Sequence, residues 1–101
     1  MLPKKQDKLN RFYFELGSNI KKYREKAGLS MEQLGFEMGI SKGDIHTIEK
    51  GKNITILTLL KISIILEVPL INFVDYKHHL TISDIDELVK TKKVLKIKKS
   101  K

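Results

Sequence analysis

Residues 30–51 read SMEQLGFEMGISKGDIHTIEKG, and the spacing within them decides the fold. Apolar side chains fall at Leu34, Met38, Ile45 and Ile48, in steps of three, four or seven residues, which is the period of a helix and not of a strand. Ile40 and two glycines, Gly35 and Gly39, interrupt the pattern in its middle, so the stretch predicts two short helices that meet at a tight turn. Ser30 and Ser41 each stand where a hydroxyl can accept from the free N–H groups of a helix start. Gly39 can adopt the positive φ that ends the first helix and swings the chain toward the second.

Two helices joined in this way make a helix-turn-helix, a shape whose second helix fits the major groove of duplex DNA. Upstream, Phe12, Leu16, Ile20, Tyr23 and Ala27 recur at four and three residues and place one apolar stripe along a helix that starts near Asn10 and ends near Gly28. Residues 1–9 are polar, contain Pro3 and are expected to form a mobile arm. Downstream, Thr55 is placed to cap ILTLLKISIILEV, the most apolar segment of the chain, which is expected to be a central buried helix. Pro69 can stop it and start a short fifth helix carrying Leu70, Ile71, Phe73 and Val74. The fold expected is all-α, with a compact five-helix domain over residues 10–76. Residues 77–101 form an extension, in which Ser83 and Asp86 resemble a capping box for a sixth helix with Ile85, Leu88 and Val89 on one stripe. Its end, with seven lysines between Lys90 and Lys101, is expected to be disordered by self-repulsion.

One hundred and one residues with 41% apolar side chains suit one core. No run approaches the ~18 apolar residues of a membrane span, the N-terminus lacks an apolar signal core, and without cysteine there is no disulfide framework. A cytoplasmic protein of the bacterial nucleoid is expected. The net charge is +8, and it is uneven: residues 1–76 carry 12 basic against 9 acidic side chains, residues 77–101 carry 8 against 3. Such a balance favours polyanionic partners, nucleic acid before an anionic membrane. Eighteen of the 20 basic residues are lysine, which compositional bias alone can produce, so the motif carries more weight than the charge. His78 and His79 are adjacent, with no cysteine or nearby carboxylate at ligand spacing, and no nucleophile motif or Gly-rich phosphate loop is present. No enzyme, metal or cofactor is expected.

The run REKAGLSMEQLGFEMGISKGDIHTIEKGKNITILTLLKISIILEVPLINFV, residues 24–74, resembles the Xre-type helix-turn-helix family of lambdoid phage repressors and Cro proteins. Within it the chain is most similar to the controller proteins of restriction–modification systems, which share a G-K-x-I-T/S-x-x-x-L-L-K-I run. The resemblance implies a transcriptional regulator that binds a pseudo-palindromic operator as a homodimer. It places Ser41, Lys42, Gly43, Asp44, His46 and Thr47 on the DNA-facing side of the second helix, with Ser30, Gln33, Lys50, Lys52 and Asn53 completing the DNA-binding set. It makes Arg24 and Glu49 a buried ion pair. The fifth helix, with Leu70, Ile71, Phe73 and Val74, is the expected dimer interface.

From the residues themselves, Lys42 can donate to guanine O6 or N7, and Thr47 can offer its hydroxyl or pack its methyl on thymine. Asp44 is repelled by phosphates, so it either accepts from a cytosine amine or turns to a neighbour such as Lys42. Met31 stands where many relatives carry a glutamine that meets a phosphate, and Gly43 replaces a frequent base-reading side chain. The rival expectation is an antitoxin or other interaction module of the same fold, whose extension folds onto a partner protein.

Overall fold

A computed structural model describes the backbone of residues 5–86 and the side-chain surroundings of residues 8–86. The elements are α1 (Lys5–Lys26), α2 (Met31–Met38), α3 (Lys42–Glu49), α4 (Ile56–Leu66) and α5 (Leu70–Phe73), followed by the start of α6, helical from 82 to 86. There is no strand among the described residues. The fold is thus all-α.

Among the described residues, the largest fully enclosed side chains are Ile20, Leu34, Ile45, Ile62 and Phe73, one from each of the first five helices. Burying side chains of this size contributes about 1.5–3 kcal/mol apiece. Leu16, Ile48, Leu59 and Leu66 extend the same core, and Tyr23 meets Phe73 edge to face with ring centres 5.5 Å apart. The α2–α3 turn is folded tightly over Gly35, where a β-carbon would lie 2.7 Å from the carbonyl oxygen of Ile40. Gly39 adopts the expected left-handed conformation, φ 75°, and its N–H returns to the carbonyls of α2.

Several expectations need correction. The helix does not begin at Asn10: α1 is already formed at Lys5, and Leu9 is buried, so only residues 1–4 of the proposed arm lie outside the described residues. α4 is not buried all round. It buries Leu59, Ile62 and Leu66 and leaves Ile56, Leu57, Leu60 and Ile64 on the surface. It also ends before Pro69 is reached, because Glu67 turns left-handed at φ 56° and the Ser63 hydroxyl donates to the carbonyl of Val68 at 2.6 Å.

Nor does the packed region stop at Tyr76. The Phe12 ring has Tyr76 at 6.2 Å and His78 edge-on at 5.7 Å, and Asp84 is buried. The capping box of α6 is formed by Thr81 and Asp84 and not by Ser83 and Asp86: each of the two donates its N–H to the other's side-chain oxygen, at 2.9 and 3.2 Å. The box starts two residues earlier because Thr81 and Asp84 have the same spacing as Ser83 and Asp86, and only the former brings a carboxylate under cover. Leu88, Val89 and the lysine-rich end lie outside the described residues.

Candidate nucleic-acid interface

α3 divides along its length. Ile45, Ile48 and Glu49 are buried, whereas Lys42, Gly43, Asp44, His46 and Thr47, with Lys50 at the C-terminal cap, are exposed. The residues that the resemblance set on the DNA-facing side, Ser41 through Asp44 with His46 and Thr47, are all solvent-exposed.

The start of α3 is tied by a reciprocal pair. The Ser41 hydroxyl accepts from the Asp44 N–H and an Asp44 carboxylate oxygen accepts from the Ser41 N–H, both at 3.0 Å. Asp44 therefore turns back to the backbone and does not pair with Lys42. The Ser41 N–H first, and then the Ser41 hydroxyl, hold its carboxyl below the usual aspartate value, helped by the charge of Lys52. The start of α2 repeats the device. Gln33 donates its N–H to the Ser30 hydroxyl at 3.0 Å, and the Ser30 N–H donates to the Gln33 amide oxygen at 2.7 Å. The Gln33 oxygen is thus committed, and its amide nitrogen is the group left for a phosphate. Met31 packs against the core, so it replaces the expected phosphate contact with an apolar one.

Lys52 and Asn53 line a groove of about 340 Å³ between α3 and α4, together with Asp44, Thr55, Thr58 and Lys61. The loop after α3 thereby brings Lys52 to the groove that Asp44 of α3 also lines. Thr55 caps α4, its hydroxyl accepting from the Thr58 N–H at 3.0 Å.

The other end of α3 is anchored to α1. Arg24 Nε donates to one Glu49 carboxylate oxygen at 2.6 Å and Nη2 to the other at 3.1 Å, while Nη1 donates to the Leu29 carbonyl at 2.8 Å. Both side chains are almost wholly enclosed. The hydrogen bond to Glu49 raises the guanidinium above its already high ordinary value, so Arg24 keeps its charge. The ion pair expected at these positions is present, and the third guanidinium nitrogen, Nη1, is also bonded.

A neighbouring position escaped the sequence reading. Gly17 crosses the end of α3 so closely that a β-carbon there would lie 2.5 Å from the Glu49 carbonyl oxygen and 2.7 Å from that of Ile48. A glycine in the middle of a long helix, where it costs about 1 kcal/mol against alanine, was the available signal. At the expected dimer interface, Phe73 is fully buried within one chain and Leu70 packs against the core. Only Ile71 and Val74 of the four named residues remain exposed. The larger exposed apolar face belongs to α4, which the sequence had assigned to the interior. Among the described residues no cluster of His, Asp and Glu could hold a metal, and no helix is long and apolar enough to cross a membrane.

A helix-turn-helix family model matches residues 20–73, from the second half of α1 through α5, and the chain belongs to that family, in its Xre-type branch. Over 65 residues it is 34% identical to the HTH-type transcriptional regulator SinR of Bacillus subtilis (strain 168). That match covers 62% of this chain and 59% of the relative, so the chain spans about three fifths of the curated protein that it resembles. No solved structure gives a significant match.

Proposed function

We propose that this protein is a sequence-specific duplex-DNA-binding regulator of transcription, acting as a homodimer on a pseudo-palindromic operator with α3 in the major groove. The observation that carries the reading is the state of α3. Its outer face is solvent-exposed and polar, its start is locked by the Ser41–Asp44 box, and its end is clamped by Arg24 and Gly17. A short helix held at both ends with its outer face turned to solvent is what base readout requires. The family membership and the regulator among its relatives support the same reading.

A homodimer follows from reach. One eight-residue helix spans only a few base pairs, and a two-fold partner doubles the site and sets two half-sites about one helical turn apart. The exposed residues Ile56, Leu57, Leu60 and Ile64 of α4, with Ile71 and Val74 beyond, are the surface assigned to the second copy. The run Gly51-Lys52-Asn53-Ile54-Thr55 through Ile62 favours a controller or phage-type repressor within the family. Selection of bound sites from a random duplex pool tests the proposal. Enrichment of an inverted repeat is the result expected, and no enrichment at low salt overturns it.

A further inference from the structure

On α3, residues spaced four and three apart share a face. Gly43, Thr47 and Lys50 form its outermost row, opposite buried Ile45, Ile48 and Glu49. Two facts about this row are not demanded by the fold. First, a β-carbon on Gly43 would meet nothing closer than the Ser41 hydroxyl at 3.7 Å, and φ there is not left-handed, so neither space nor backbone calls for glycine. Second, the Thr47 hydroxyl donates to the Gly43 carbonyl at 2.9 Å, one turn back along the helix. Its only proton is spent there, so Thr47 has no hydrogen left to donate, and it brings a partner its methyl and the lone pairs of its oxygen. The carboxylate of Asp44, the one acidic group on this face, is likewise committed to Ser41.

Resting on the DNA-binding reading above, we propose that Thr47 is a specificity-determining residue that selects a thymine. Its Cγ2 methyl packs on the thymine 5-methyl at one fixed position in each half-site, and the missing side chain of Gly43 lets α3 lie deep enough for so short a group to reach. A phosphate contact would need the proton that Gly43 already holds. The major groove offers an apolar group one specific partner, the thymine methyl, so the methyl left free on Thr47 has a defined target. Lys50, a donor without acceptor capacity, follows Thr47 in the row and suits the O6, N7 and O4 acceptors beside it.

The test uses the full chain and a duplex enriched from a random pool, with each thymine replaced in turn by deoxyuridine, which differs only in lacking the 5-methyl. The wild type is expected to lose about fourfold in affinity at one thymine per half-site, the worth of one buried methyl. Thr47→Val, which keeps a methyl and drops the hydroxyl, should retain that discrimination. Thr47→Ser, which keeps the hydroxyl and drops the methyl, should bind the thymine and deoxyuridine duplexes equally at that position. Discrimination that survives in Thr47→Ser, or is lost in Thr47→Val, or is absent from the wild type overturns the assignment while leaving DNA binding intact. Failure to enrich any duplex overturns the DNA-binding reading itself, and the two failures are thereby distinct.

Discussion

The carbonyl oxygen of Glu49 lies 2.5 Å from where a β-carbon of Gly17 would stand, and the carboxylate of the same glutamate is gripped by Arg24. Positions 17 and 24 are seven residues apart, two turns along one face of α1. A single face of the first helix therefore holds the last turn of α3 by its backbone and by its side chain, which fixes α3 in both position and rotation.

Two glycine substitutions should part company for this reason. Gly17→Ala forces a methyl against backbone oxygens that have no rotamer to escape into, and overpacking of this kind costs about 1–3 kcal/mol. Gly43→Ala meets open space and gains up to about 1 kcal/mol of helix propensity. Thermal unfolding should show the first variant below the wild type and the second above it, by roughly 4–8 °C per kcal/mol for a domain of this size. Gly43→Ala should nonetheless bind its selected duplex more weakly, since its added methyl holds α3 away from the groove floor.

The buried pair carries its own prediction. Glu49→Ala strands the Arg24 guanidinium in poor solvent and should lower stability by about 3–5 kcal/mol. Replacing both partners, as Arg24→Met with Glu49→Leu, removes the charge together with the need for it, and calorimetry should find this double variant more stable than the single one. A double variant no better than Glu49→Ala would mean that the loss comes from packing alone.

The visible difference between what the sequence disclosed and what it hid lies in the range of the forces involved. Ser30, Ser41 and Gly39 act on backbone groups within four residues, so the two caps and the turn were legible from spacing. The outward residues of α3 came from the family resemblance, and the buried Ile45 and Ile48 leave them exposed. In ILTLLKISIILEV nearly every position is apolar, and such a run has no phase: nothing local tells that Ile62 goes inward and Ile64 outward. The same holds for Leu70, Ile71, Phe73 and Val74, of which the fold encloses Phe73 fully and leaves Ile71 outside. Gly17 was hidden because its partner, the end of α3, lies more than thirty residues away in the chain.

Acid should loosen α3 from its first turn. The Asp44 carboxyl is held below its unperturbed value of 3.8, so the cap is at full strength above that pH and is lost as pH falls through the lower value of the folded state. In Asp44→Asn the side chain does not titrate in this range. The gap in denaturation midpoint between wild type and Asp44→Asn should be constant above about pH 5 and should narrow as the pH falls below 3.8. A gap that does not change with pH would show that the ionised form contributes nothing to the cap.

Charge placed on the surface of α4 should separate pairing from folding. Leu60 is 42% exposed and Ile64 67%, so Leu60→Glu and Ile64→Glu have water available and should leave secondary structure and single-chain stability within about 0.5 kcal/mol. Light scattering coupled to size exclusion should report a dimer for the wild type and single chains for both variants. Dimers in all three would move the interface off this helix.

In the proposed homodimer, the uncovered stripe on α4 would also make abundance a signal. Where two chains must meet before a full operator can be held, the pool of competent molecules in the dilute range rises with the square of the total, and the folded state gains by mass action from the same encounter. Occupancy then responds to the level of the protein as a threshold. A few oily side chains, Ile56, Leu57, Leu60 and Ile64, would in this way give a small regulator a built-in measure of how much of itself is present.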